Sequence, residues 1–126
     1  MLDSSALLAI LNDESGAEIF SRRLDLLENA TMSAVNVAEA YAKIVKSGMD
    51  PEDAWNAVTA PIAEIREFAA DQAKISGGLV PHTSSLGLSL GDRACLALGI
   101  ALNAPIYTAD RAWKKLDVGI LIHLIR

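Results

Sequence analysis

The sequence predicts an α/β fold in which a parallel sheet carries helices on both faces. Short apolar segments alternate with longer stretches of helical periodicity, and turn residues fall between them. Acidic residues recur where apolar segments end, and in α/β folds ligands bind in the crevice at the carboxyl ends of the strands.

Met1–Leu2 reads as the end of a short strand and Ser4–Leu11 as a first helix. Residues 16–27 are expected to be helical, since Ile19, Phe20, Arg23, Leu24 and Leu27 recur at intervals of three and four. Thr31–Ser33 is a short strand. Residues 35–47 form an amphipathic helix with Val37, Tyr41, Ile44 and Val45 on its apolar stripe and Gly48 at its end. Asp50-Pro51-Glu52-Asp53 starts another helix, with a cap residue followed by proline at the first helical position. Pro61 stops it, and 62–66 is a candidate strand. Residues 69–76 form a helix ended by Gly77-Gly78, and 79–88 reads as a loop. Residues 89–102 are nearly all apolar, hence a buried helix. Ile106–Thr108 is a strand, 110–116 a short helix and 120–125 a last strand.

A chain of 126 residues points to one domain spanning 1–126. Hydrophobic residues make up 52% and mean hydropathy is +0.29, rich enough to suggest apolar surface covered by a partner. No uninterrupted apolar run is long enough to span a membrane. The lone cysteine, Cys95, sits in an apolar helix and builds no disulfide framework, which fits a reducing cytoplasm. The net charge of −5 argues against a broad basic nucleic-acid surface. It leaves nucleic-acid cleavage open, because divalent ions held by carboxylates offset charge where a phosphate approaches.

Asp3, Glu39, Asp92 and Asp110 are the candidate site residues. Each has a local explanation: Asp3 and Asp110 as helix caps, Ser89 with Asp92 as a capping box, and Glu39 in a solvated pair with Lys43. Jointly they suggest more. The three Asp fall where the crevice should be, and hydroxyls lie beside them: Ser4 and Ser5, Ser89, and Thr108. Carboxylates gathered in a crevice need a counter-charge, and Mg²⁺ or Mn²⁺ is the usual one. Trp113 and Cys95 read as packing residues. His82 and His123 have no partner at metal-ligand spacing. Arg93 and Arg111, beside site acids, read equally as structural ion pairs or phosphate contacts.

The segments Leu2-Asp3-Ser4-Ser5-Ala6, Asn36-Val37-Ala38-Glu39, Leu88 to Leu98 (LSLGDRACLAL) and Thr108-Ala109-Asp110-Arg111-Ala112-Trp113 resemble the PIN-domain ribonucleases, in particular the VapC-type toxins of bacterial toxin–antitoxin pairs. The resemblance runs over nearly the whole chain, and its third segment is the most specific. Only Met1 and Leu2 precede Asp3, fewer residues than the family's usual first strand. The resemblance implies a three-layer α/β/α sandwich with a central, mainly parallel sheet. It implies Asp3, Glu39, Asp92 and Asp110 as metal-binding acids, with Thr108 as an assisting hydroxyl. It implies a Mg²⁺- or Mn²⁺-dependent endoribonuclease, an RNA substrate, a cognate antitoxin and a homodimer. A non-catalytic RNA-binding or interaction domain on the same fold is the alternative.

Overall fold

The computed structural model describes residues 1–126 and is an α/β structure built on short parallel strands. In chain order the elements are α1 (Ser4–Leu11), α2 (Glu18–Arg22), α3 (Leu24–Glu28), β1 (Thr31–Ser33), α4 (Ala34–Lys46), α5 (Pro51–Thr59), β2 (Glu64–Arg66), α6 (Ala70–Gly78), α7 (Val80–Thr83), α8 (Leu90–Leu102), β3 (Ile106–Thr108) and β4 (Ile122–Leu124). Ser84–Leu86 and Arg111–Lys115 are 3-10 turns.

β1 pairs in parallel with β2, and β3 with β4. The N-terminal residues join the two pairs. Leu2 N–H donates to Thr31 O (3.0 Å), Asp3 N–H to Tyr107 O (3.0 Å) and Tyr107 N–H to Met1 O (2.9 Å). The spatial order is therefore β2, β1, residues 1–3, β3, β4. This puts Asp3 in the middle of the sheet, at the carboxyl end of its central segment.

Apolar side chains gather in two clusters. One contains Leu2, Leu7, Phe20, Met32, Val37, Ala40, Ala54 and Val58, from α1, α2, α4, α5 and the sheet. The other contains Leu79, Leu88, Cys95, Leu96, Ile106 and Trp113. Ile106 and Tyr107, neighbours in β3, belong to opposite clusters, as the alternation of a pleated strand requires. The layered arrangement expected from the sequence is thus present. Helix α8 lies close on β3 because Gly99 has no side chain: a Cβ there would stand 2.7 Å from Ile106 Cδ1.

Five local expectations are corrected. Residues 16–27 are two short helices, because Arg23 leaves helical geometry (φ −127°, ψ 71°) and binds Asp25 with two guanidinium hydrogen bonds. The kink lets Leu26 and Leu27 reach the core while Leu24 stays 61% exposed. The expected loop 79–88 is helical instead. Pro81 sits in the first turn of α7, where a missing N–H breaks no helix bond, and Thr83 Oγ1 donates back to Leu79 O (2.9 Å). The helix expected over 69–76 runs through Gly77-Gly78, which are the last two residues of α6, and Leu79 caps it with its N–H on Ile75 O (3.1 Å). The expected strand 62–66 shrinks to Glu64–Arg66, an exposed edge, and the last strand to Ile122–Leu124.

Candidate active site

Asp3 is 2% exposed and caps α1. Its Oδ2 accepts three hydrogen bonds: from Ser5 N (3.2 Å), Ser5 Oγ (2.5 Å) and Thr108 Oγ1 (3.0 Å). Its Oδ1 is buried and has no partner. Burial raises the acid's pKa above the ordinary carboxylate value. The Ser5 and Thr108 hydrogen bonds work against the rise, and the negative charge of Asp92 adds to it.

The other three acids are half-buried around it. Asp92 lies in the first turn of α8, in a complete capping box: Ser89 N–H donates to Asp92 Oδ2 (2.7 Å) and Asp92 N–H to Ser89 Oγ (3.2 Å). Asp110 caps the 3-10 turn that follows β3, accepting from Ala112 N–H at Oδ1 (2.9 Å). Thr108 ties Asp110 to the centre, since its Oγ1 accepts from Asp110 N–H (3.1 Å) and donates to Asp3. Ser5 Oγ lies 3.1 Å from the Thr108 hydroxyl and accepts from Ala109 N–H (2.9 Å), so the start of α1 and the end of β3 are locked together.

Glu39 departs from the local expectation. It forms no ion pair with Lys43. Its Oε2 accepts from Ser4 Oγ at 2.6 Å instead, a bond across 35 residues that no helix-surface pattern encodes. Arg93 likewise makes no ion pair: its Nη1 donates to Leu88 O (3.0 Å).

A common rule emerges. Each acid spends one carboxylate oxygen on the protein (Asp3 Oδ2, Glu39 Oε2, Asp92 Oδ2, Asp110 Oδ1) and leaves the other without a protein donor. Capping and cation binding are therefore compatible at one residue. The buried, unpartnered Oδ1 of Asp3 could accept a cation, and an oxygen-only donor set suits a hard divalent ion. No three His, Cys, Asp or Glu side chains are drawn tightly enough together to form a finished cage.

The remaining candidates read as packing or surface. Cys95 is fully buried, and burial pushes its thiol well above the usual range. The charge of Asp3, and more weakly those of Asp92 and Glu39, push the same way. Trp113 is 1% exposed in the second cluster. His82 is exposed in α7, and His123 stacks on Tyr107 with ring centroids 4.7 Å apart. Sequence reasoning did not single out Asn36 and Gly91. Asn36 Nδ2 donates to Gly91 O (2.9 Å) and to Ser4 Oγ (3.3 Å), and a Cβ on Gly91 would stand 3.1 Å from Glu39 Oε2. A polar residue three positions before Glu39, on the same helix, was the available signal.

The PIN domain family matches residues 1–119, and the chain belongs to that family. Two solved structures share its fold. One is the crystal structure of VapBC2 from Rickettsia felis bound to a DNA fragment from their promoter (TM-score 0.78, 19% identity, covering 98% of this chain and 96% of that one). The other is VapBC-1 from nontypeable Haemophilus influenzae (TM-score 0.74, 16% identity, covering 99% and 96%). No curated protein matches in sequence.

Proposed function

We propose that this chain is a Mg²⁺- or Mn²⁺-dependent endoribonuclease acting as the toxin of a toxin–antitoxin pair. The observation that carries the reading is the buried Asp3 Oδ1, left unpartnered while its sister oxygen holds three donors. Asp3, Asp92 and Asp110 would hold the ion, with Glu39 as a further ligand or as the group that orients the attacking water. When bound, the ion supplies Lewis-acid stabilisation of the charge that develops on the attacking and leaving oxygens. Thr108 and Ser5 hold Asp3 in one rotamer, so its free oxygen keeps one direction. No histidine takes part, because His82 and His123 lie on α7 and β4, outside the hydrogen-bond network of the acids.

The acids line none of the three cavities, of about 280, 470 and 420 Å³. The half-buried acids outside these cavities are reached from the surface, and RNA recognition favours exposed loops and single strands. A small antitoxin and a second copy of the chain are the proposed partners. The likeness in fold to chains of VapBC complexes supports the first. Exposed Trp55 (45%), Met49 (42%) and Leu24 (61%) support surface covered in an assembly. The free, buried Cys95 fits a reducing cytoplasm.

The test is the chemistry of the product ends. Water as nucleophile leaves a 5′-phosphate and a 3′-hydroxyl, with activity lost in EDTA and restored by Mn²⁺. A 2′,3′-cyclic phosphate, or full activity in EDTA, refutes the reading. The lack of a finished ligand cage favours one rival, a non-catalytic RNA-binding or interaction domain. That domain would show no thermal stabilisation by Mn²⁺, whereas a cation site would.

A further inference from the structure

We infer that Asn36 is a positioning residue that sets the distance between Glu39 and the start of α8, and through it the cation affinity of the site. The inference rests on the cation-site reading above and deepens it.

Asn36 is fully buried on α4, three residues before Glu39. Its amide nitrogen faces Gly91 O at 2.9 Å. A carbonyl oxygen only accepts, so the atom facing it has to be the nitrogen, and the orientation of the amide follows. The other amide proton goes to Ser4 Oγ (3.3 Å), and the Ser4 hydroxyl proton goes on to Glu39 Oε2 (2.6 Å). One side chain thus fastens α4 to α1 and to the first turn of α8, the three helices that begin at or bear Asp3, Glu39 and Asp92. The relay also fixes which oxygen of Glu39 is occupied, leaving Oε1 free.

Two further facts support a role beyond packing. Asn36 Oδ1 is buried without a partner, an unfavourable state that an apolar side chain would avoid. Gly91, the residue held by the amide, sits tight against Glu39: a Cβ would lie 3.1 Å from Oε2 and 3.4 Å from the carboxyl carbon, so the carboxylate would have to give by a few tenths of an ångström. The amide pulls α8 in, and the missing Cβ lets it come. Asp92 follows Gly91 in the first turn of α8, so the contact that seats Gly91 also places Asp92.

The experiment is calorimetric titration of the intact chain with MnCl₂ alone, beside RNA-cleavage kinetics, for Asn36→Leu, Gly91→Ala and Val58→Ala. Leu has the same branched heavy-atom skeleton as Asn, with bulkier methyl tips, but donates nothing. Gly91→Ala pushes on Glu39 from the other side and leaves the amide in place. Val58 is fully buried on α5 and takes no part in the relay, so it reports the effect of lost stability alone. Expected are Mn²⁺ affinities about 10- to 100-fold weaker for Asn36→Leu and Gly91→Ala, the range for partners that orient metal ligands. Their kcat should fall with KM for RNA unchanged, while Val58→Ala keeps the parental affinity. Parental affinity in a folded Asn36→Leu overturns the inference and leaves the proposed function standing. If Asn36→Leu does not fold, Asn36→Ala, which removes the same donor without adding bulk, decides by the same criterion. Failure of the parent itself to bind Mn²⁺ removes the cation site and this inference together.

Discussion

The two ends of the sheet leave different things unsatisfied. At the carboxyl end every acid is anchored by one oxygen, and the buried Oδ1 of Asp3 has no donor. At the amino end Met1, Leu2, Phe20, Leu102, Pro105 and Tyr107 help to frame a cavity of about 280 Å³. Its charged groups are already matched: the Met1 ammonium donates to Pro105 O (3.1 Å), and Asp25 is paired with Arg23 (2.7 Å). One end lacks charge and the other lacks atoms. Only the first demand is chemical, since a solvent-open pocket lined by Asn29 and Thr31 as well as apolar groups can fill with water, while an unpaired buried carboxylate oxygen calls for a cation. Cavity size therefore does not locate the chemistry of this protein; the accounting of carboxylate oxygens does.

Substitutions at the two ends should separate these demands. The largest effect is expected for Asp92→Asn. Asn still accepts the Ser89 cap bond but carries no charge, so RNA cleavage should drop to background while circular dichroism stays parental. A folded Asp92→Asn that cleaves at the parental rate would break the contrast at its chemical end. Phe20→Ala, in the wall of the amino-end cavity, should do the reverse. Loss of this fully buried ring is expected to cost about 3–5 kcal/mol of stability in denaturant melts, with Mn²⁺ affinity unchanged where the protein is folded. A parallel fall in affinity would show that the two ends are coupled.

Gly99→Ala tests the link between them, the contact of α8 with β3. Its Cβ would fall 2.7 Å from Ile106 Cδ1 and 3.0 Å from Ile120 Cδ1. Both are ends of flexible side chains, so overpacking should cost about 1–3 kcal/mol by the same melts. A neutral result would mean that α8 is looser on the sheet than its close approach indicates.

The smallest and most specific effect concerns Asp3→Asn in chelator. Burial raises the folded-state pKa of Asp3. The native state therefore holds its proton to higher pH than the unfolded chain, and the stabilisation this gives is complete in acid and lost as pH rises through the raised pKa. Asn does not titrate, so the melting temperature of Asp3→Asn should gain on the parent between acid and neutral pH. Adding Mn²⁺ should then favour the parent, whose ionised carboxylate binds it. A difference independent of pH would mean that the Asp3 carboxyl feels no burial penalty.

What was legible in the sequence is what the chain does within a few residues. Asp50 caps α5 ahead of Pro51, Ser89 and Asp92 close the box at α8, and Asp3 and Asp110 cap the turns that follow them; each of these bonds spans at most three residues. Strand Ile106–Thr108 was legible because Asn103-Ala104-Pro105 turns the chain into its short apolar run. The 79–88 segment was not, since its helical turns hang on a proline in a tolerant position and on a threonine bonding back to Leu79, which also serve an irregular loop.

By itself the sequence determined the alternation of strand and helix, the caps, and which residues carry negative charge. Tertiary structure alone decided how those charges are used: that Glu39 answers to Ser4 rather than Lys43, that Thr108 and Ser5 crowd one oxygen of Asp3, and that Asn36 draws Gly91 toward Glu39. The reason is distance along the chain. Helix propensity and capping act over one turn and are written locally. The contacts that single out one oxygen of Glu39 and bring Thr108 onto Asp3 bridge 35 and 105 residues, and they exist only once residues 1–3 have entered the sheet between β1 and β3.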